Sequence, residues 1–270
     1  MTSPIRAVIF DWAGTIVDFG SLAPVMAFAA AFEDARVPVT LEEIRKPMGL
    51  PKRDHIVKMF DDGEIRDRWR REHRADPTGD DIDALYAATN DRLIDLLPKH
   101  AEPIPGTLEA IGALRAAGVK IGSNSGYAAP LMEILTGAAR AHGLVVDCVV
   151  SASDVSAPRP APDLSFKCLE LLELERGSVG IKVDDTGVGI EEGRNAGLWT
   201  VAVAVSGNAM GLSLAEWSAL TPDEQNVRRR HAHEALRGFG PDYVVDSVAD
   251  LADVVTDVER RVAAGERVLA

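Results

Sequence analysis

With 270 residues, the chain is long enough for one sizeable core and an inserted second unit. A formal net charge of −13 argues against nucleic acid and against anionic membrane surfaces as partners, since both need a basic face. The two cysteines, Cys148 and Cys168, lie in apolar surroundings without disulfide or metal spacing, and neither a leader-like run nor a membrane-length stretch is visible, so a cytoplasmic protein with free thiols is expected.

In chain order, the first signal is the apolar run Ala7-Val8-Ile9-Phe10, which ends in Asp11 and is followed by Gly14 and Thr15. Such a run predicts a buried strand of a parallel sheet, with Asp11 at the carboxyl end, where open α/β sheets bind their ligands. Asp11 reads equally well as a turn residue or helix N-cap, and the rest of the chain has to decide. Residues 22–37 show helical spacing of Ala, Phe and Met. From residue 41 to about 97 strand-like runs vanish, and amphipathic stretches at 41–45, 53–60, 65–74 and 80–97 read as helices. Residues 21–98 are therefore read as a helical cap domain inserted into a main domain of residues 1–20 and 99–270. The prolines at 98, 103 and 105 mark the return.

Strand and helix then alternate. A helix over 107–117 closes at Gly118, and a strand over 119–122 runs into Ser123-Asn124-Ser125-Gly126. A helix at 129–142, a strand at 145–150 and a helix at 165–174 follow. A strand at 179–183 ends in Asp184-Asp185, with a helix at 190–196 and a strand at 199–205 behind it. After a charged helical stretch come a last strand at 243–245 and a helix at 248–263. The fold class is α/β, a doubly wound, Rossmann-like parallel sheet.

Polar groups thus end several strands at one sheet edge: Asp11, Ser123 to Ser125, and Asp184-Asp185. Converging carboxylates repel unless neutralised, and a hard divalent cation such as Mg²⁺ takes this kind of oxygen ligand set. The Ser123–Gly126 turn opens a helix, so its N–H groups and hydroxyls either suit a phosphate or simply cap that helix.

These strand ends, with a basic residue between the second and the last, resemble the motifs of the haloacid dehalogenase superfamily. The resemblance implies an Asp11 nucleophile, an aspartyl-phosphate and Mg²⁺, with residues 21–98 as the cap. Many phosphatases of that superfamily carry a general acid two residues after the nucleophile, where this chain has Ala13. Lys46-Pro47-Met48-Gly49-Leu50-Pro51-Lys52-Arg53-Asp54-His55 supplies a candidate substitute. A lysine amine condenses with a carbonyl to form an electron sink, which lets a carbon leaving group depart from phosphorus as an enamine.

Across residues 5–265 the chain is similar to the phosphonoacetaldehyde hydrolase (phosphonatase) family. The similarity rests on Asp11-Trp12-Ala13-Gly14-Thr15, Met48-Gly49 with Lys52 and Asp54-His55, Ser125-Gly126-Tyr127, Arg159-Pro160 and Lys182-Val183-Asp184-Asp185-Thr186 with Glu192. The resemblance implies Asp11 as nucleophile and Mg²⁺ ligand, the Ala13 carbonyl and Asp185 as further ligands, and Lys52 as the Schiff-base former. It puts Ser125, Gly126 and Arg159 on the phosphonate oxygens, and Met48, His55 and Tyr127 around the aldehyde. It also implies a small-molecule phosphonate as substrate and a homodimer through the cap, for which the apolar 22–32 helix is a candidate face.

Gly189 stands where some members carry an acid, so Asp184 is expected to share that role, and Asp184 competes with Asp185 for the metal. Ser123 competes with Ser125 for the phosphonate. Pro158 and Ala161 depart from the family pattern beside Arg159. A conventional phosphatase, and a phosphate-binding module without catalysis, are the alternative readings.

Overall fold

The computed structural model describes residues 3–266 and 268. Six parallel strands form one sheet: β1 (Ala7–Phe10), β2 (Lys120–Asn124), β3 (Cys148–Val150), β4 (Gly180–Asp184), β5 (Trp199–Val203) and β6 (Tyr243–Val245), in the order β3-β2-β1-β4-β5-β6. The order reverses at β1, whose neighbours are β2 and β4. The crevice at such a switch point lies at the carboxyl ends of the strands. All four residues of β1 are fully buried, as a strand covered on both faces requires. Burial of Val8, Ile9 and Phe10 stabilises the fold by about 1.5–3 kcal/mol each.

The first five helices follow β1 in the chain: α1 (Leu22–Asp34), α2 (Leu41–Arg45), α3 (Lys52–Met59), α4 (Gly63–His73) and α5 (Gly79–Leu96). They share an apolar cluster of their own, built on Phe28, Phe32, Ile44, Ile56, Phe60 and Trp69. Capping boxes start two of them, Thr40 with Glu43 and Thr78 with Asp81, each satisfying N–H groups that an open helix end leaves bare. Helix α1 turns Val25, Phe28, Ala31 and Phe32 into this cluster and Ala23 and Ala27 into the core around the sheet, and leaves Met26 half exposed. The sheet is flanked by α6 (Thr107–Ala116), α7 (Ala129–Ala141), α8 (Asp163–Leu171), α9 (Gly187–Asn195), α10 (Leu214–Ala219), α11 (Pro222–Arg237) and α12 (Leu251–Ala263). None of the described helices is long and apolar enough to cross a membrane.

Several boundaries differ from the sequence reading, for local reasons. Helix α1 stops at Asp34 because Arg36 takes a left-handed conformation, φ 59°, and Val37 N–H turns back to the Phe32 carbonyl. The strand expected at 145–150 begins only at Cys148, because the Asp147 carboxylate takes the Ile121 N–H at 2.7 Å in place of a backbone carbonyl. At the C-terminus one 3₁₀ turn, Val248–Asp250, precedes α12.

Candidate active site

The site grows from the carboxyl ends of β1, β2 and β4. Asp11 leaves β1 and is held by its N–H on the Val183 carbonyl at 2.9 Å. Its Oδ1 accepts from Arg159 Nη2 at 2.9 Å, an ion pair buried on both sides. Asp11 is therefore not a helix cap. Burial, and then the charge of Asp184, push its carboxyl up to about 6 against the pull of Arg159 and Lys182.

Arg159 is fixed from behind. Its Nε donates to Glu192 at 2.7 Å, its Nη2 to Asn124 Oδ1 at 2.7 Å, and Asp184 Oδ2 lies 3.2 Å from Nη2. Burial works against its charge, but Asp184, Asp11 and Glu192 outweigh it and keep the guanidinium protonated. Glu192, fully buried, also accepts from Asn124 Nδ2 at 2.8 Å and from the Ser165 hydroxyl. Lys182 Nζ sits 2.7 Å from Asn124 Oδ1 and 3.0 Å from Asp184 Oδ2. The sequence reading gave no role to Asn124, Ser165 or Lys182. A lysine inside the buried run Gly180-Ile181-Lys182-Val183 was the available signal, because a charge in a covered strand needs a partner.

The two adjacent aspartates separate. Asp184 is tied to Lys182 and Arg159, and its Oδ1 takes the Thr186 N–H at 3.0 Å and hydroxyl at 2.7 Å. Burial raises its carboxyl, but Arg159 and Lys182 overcome this and hold it below the ordinary range. Asp185 lines the cavity and accepts the Asn208 N–H on Oδ2 at 2.7 Å. Burial, then the charges of Asp11 and Asp184, push it well above the ordinary carboxylate range.

Gly189 explains where Asp184 points: a Cβ there would overlap the Asp184 carboxylate. Asp184 thus fills the space that an acid at position 189 would take. Gly189→Ala is expected to displace that carboxylate from its cations and to cost about 3 kcal/mol. Denaturant unfolding checks this, and the transposed pair Asp184→Gly with Gly189→Asp should recover most of the loss.

A small cavity, about 30 Å³, is lined by Asp11, Ala13, Met48, Lys52, Ser125, Gly126, Tyr127, Arg159 and Asp185. That is room for about two waters. Ser125 lines it, whereas the Ser123 hydroxyl is spent on the Cys148 carbonyl at 3.0 Å inside the core. Among the described residues the Gly126 N–H donates to no backbone carbonyl, and no hydrogen bond reaches the Ala13 carbonyl. A side chain at Gly126 would press on the carbonyls of Gly49 and Leu50, so glycine lets the loop ahead of α3 approach.

Lys52 opens α3 and is buried, its Nζ 4.6 Å from the centroid of the Tyr127 ring and 5.5 Å from that of Phe28. Burial lowers its ammonium to about 8 although Asp11 favours the charged form. His55 stacks on Phe28 with ring centroids 4.0 Å apart and lies beneath the cavity wall rather than in it. Burial and then the charge of Lys52 keep it neutral. Neither of its ring nitrogens, nor the Tyr127 hydroxyl, has a hydrogen-bond partner among the described residues. Buried polar atoms without partners are costly, and the Tyr127 hydroxyl, on a residue of the cavity wall beside the Lys52 amine, fits a polar guest.

The donor set also fits a divalent cation. Carboxylate oxygens of Asp11, Asp184 and Asp185 lie within 4.8 Å of one another. Fully ionised, these three and Glu192 would bring four negative charges against Arg159 and Lys182, an excess that adds to burial in raising Asp11 and Asp185 and that a cation would relieve. Asp11 and Asp185, not the already paired Asp184, have free capacity toward the cavity.

A family model described as haloacid dehalogenase-like hydrolase matches residues 8–203. The phosphonoacetaldehyde hydrolase of Paraburkholderia xenovorans (strain LB400) is 44% identical over 264 residues, covering 97% of this chain and 98% of its own. That of Bordetella pertussis is 41% identical over 268 residues, covering 98% and 97%. The crystal structure of a phosphonoacetaldehyde hydrolase-like protein from Oleispira antarctica superposes with a TM-score of 0.95 at 42% identity, covering 98% of this chain and 96% of that one. A β-phosphoglucomutase from Clostridium difficile, 15% identical with a TM-score of 0.67, shares the fold.

Proposed function

This chain belongs to the phosphonoacetaldehyde hydrolase family of haloacid dehalogenase-like hydrolases, and from that premise we propose that it splits 2-phosphonoacetaldehyde into acetaldehyde and phosphate through a Lys52 Schiff base and an Asp11 aspartyl-phosphate. The observation that carries the reading is a buried, largely desolvated amine at Lys52 sharing one small cavity with Asp11 and Arg159.

Lys52 Nζ adds to the aldehyde carbon, water leaves, and a protonated imine results. An Asp11 carboxylate oxygen attacks phosphorus. The carbon–phosphorus bond breaks, and its electron pair passes into the imine to give a neutral enamine on Lys52. The enamine takes a proton at carbon and is hydrolysed to acetaldehyde and free Lys52. Water cleaves the aspartyl-phosphate. Ala13 needs no acid side chain, because the leaving carbon departs as an enamine rather than as an alkoxide.

Arg159, the Gly126 N–H and Ser125 hold the phosphonate oxygens, and Tyr127, His55 and Met48 shape the aldehyde end. Asp11, the Ala13 carbonyl and Asp185 would hold Mg²⁺, which supplies positive charge to the transferring group. The loop from Lys46 to Pro51 forms one wall of the cavity, and its closure over bound substrate would exclude water.

The test is phosphate release from phosphonoacetaldehyde between pH 6 and pH 9, with a parallel borohydride trap read by mass spectrometry. At an ammonium value of about 8, rather than the ordinary 10.5, about one Lys52 in ten is free amine at pH 7, against about one in three thousand otherwise. Deprotonation makes the nucleophile, so the rate should climb with pH and level off above about 8. A reduced adduct should appear on Lys52. Faster release from an aryl phosphate, with no adduct, would point to a conventional phosphatase instead.

A further inference from the structure

We propose that Arg45 and Asn208 form a latch through which closure of the cap loop sets the orientation of the Asp185 carboxylate. Both are positioning residues; the inference rests on the reading above for the role of Asp185.

Arg45 is the last residue of α2, immediately before the loop that carries Met48 and leads to Lys52. Its neighbour Ile44 is fully buried in the cap cluster, so the arginine moves with the cap. Its guanidinium nevertheless reaches across to the sheet side. Nη1 donates to the Gly20 carbonyl at 3.0 Å and to Asn208 Oδ1 at 3.0 Å, and Nη2 to the Gly211 carbonyl at 3.2 Å. Asn208 answers from its other side-chain atom, Nδ2 donating to the Arg45 carbonyl at 3.2 Å. The pair is thus reciprocal, with each residue both giving and receiving.

The next link belongs to the same residue. The Asn208 N–H donates to Asp185 Oδ2 at 2.7 Å, the hydrogen bond that fixes this carboxylate. Its turn is held from below, where the Ser206 carbonyl accepts the Gly20 N–H at 2.7 Å and the Ser206 hydroxyl donates to the Gly14 carbonyl at 2.9 Å. A planar fork that must satisfy three acceptors in fixed directions is work for arginine, and a lysine ammonium would satisfy them poorly. When the cap loop lifts, the fork leaves Asn208 and the turn bearing the Asp185 hydrogen bond loses its outer clamp. When the loop closes, the clamp returns as the substrate is enclosed. Outright loss of a hydrogen bond to a metal-binding carboxylate commonly changes metal affinity by about 10- to 100-fold, and loosening the turn that aims this N–H should give an effect at the lower end of that range.

The variants are Arg45→Met, Arg45→Lys, Asn208→Ala and the Arg45→Met/Asn208→Ala pair. The readouts are Mg²⁺ affinity by calorimetry without substrate, kcat and KM for phosphate release, and melting temperature. Expected are Mg²⁺ binding weakened about tenfold in each single variant and kcat lowered more than KM is raised. Arg45→Lys should rescue little, and the double variant should be no worse than either single one. Mg²⁺ affinity and kcat both within about twofold of the parent, or a fall in melting temperature alone, would overturn the latch. Should Arg45→Met not fold, Asn208→Ala decides by the same readouts, since its backbone N–H survives the change and its side chain is only half buried. A parent that releases no phosphate would refute the proposed reaction and leave the Mg²⁺ measurement to judge the latch by itself.

Discussion

Lys52→Arg is expected to lower phosphate release from phosphonoacetaldehyde by about 10⁴-fold or more and to erase the borohydride adduct. The change is a narrow one. Arginine retains a cation and a long apolar stem, and a guanidinium stacks on an aromatic face at least as well as an ammonium does. The contact with Tyr127 at 4.6 Å can therefore persist. What is lost is the free amine, because a guanidinium does not deprotonate near neutrality and does not condense with an aldehyde. Melting temperature should move little, which separates lost chemistry from lost fold. Residual turnover above about one hundredth of the parent's, measured on protein shown by mass spectrometry to be free of parent, would remove Lys52 from the mechanism.

Asp11→Asn should cost as much in phosphate release and spare the imine. An amide is no nucleophile toward phosphorus, while Arg159 keeps Glu192, Asn124 and Asp184 as partners. Trapping should in fact improve near neutral pH. The Asp11 charge favours the Lys52 ammonium, so its removal lowers the Lys52 value below about 8 and leaves more free amine. The expected result is a borohydride adduct that forms at a lower pH than in the parent, with no phosphate. Loss of adduct and phosphate together would mean that Asp11 is needed for imine formation, contrary to the order of steps proposed.

The strand-end carboxylate was legible because a strand covered on both faces tolerates an unpaired acid only where it leaves the sheet. The doubly wound parallel sheet followed from the repeated strand–helix alternation, whereas the order of its strands came only from the structure. What adjacent residues do was not legible. Asp184 and Asp185 are neighbours, as are the candidates Ser123 and Ser125 across one residue, and each choice turns on where a strand ends and which face the residue takes. β4 runs through Asp184, which therefore shares a face with Lys182, while Asp185 passes over the edge into the cavity. The partners of Arg159 come from separate elements, Asn124 at the end of β2 and Glu192 on α9, and pairing over such distances leaves no periodicity to read. The latch was hidden for the same reason, since Arg45 and Asn208 lie 163 residues apart.

The position of β1 has a consequence for how the chain is made. Ala7 pairs with Lys120 on one side and Gly180 on the other. As the polypeptide leaves the ribosome, the first strand waits for more than a hundred residues before either neighbour exists. At about 5–20 residues per second that is roughly 6–20 s for the first partner alone. In that interval the helices between residues 22 and 97 emerge and can pack on one another, whereas the fully apolar strand β1 stays unpaired. The nascent chain thus carries an exposed sticky segment at its leading end until residue 120 and beyond have been made, and holdase chaperones that recognise short apolar stretches should bind residues 7–10 in preference to any later strand.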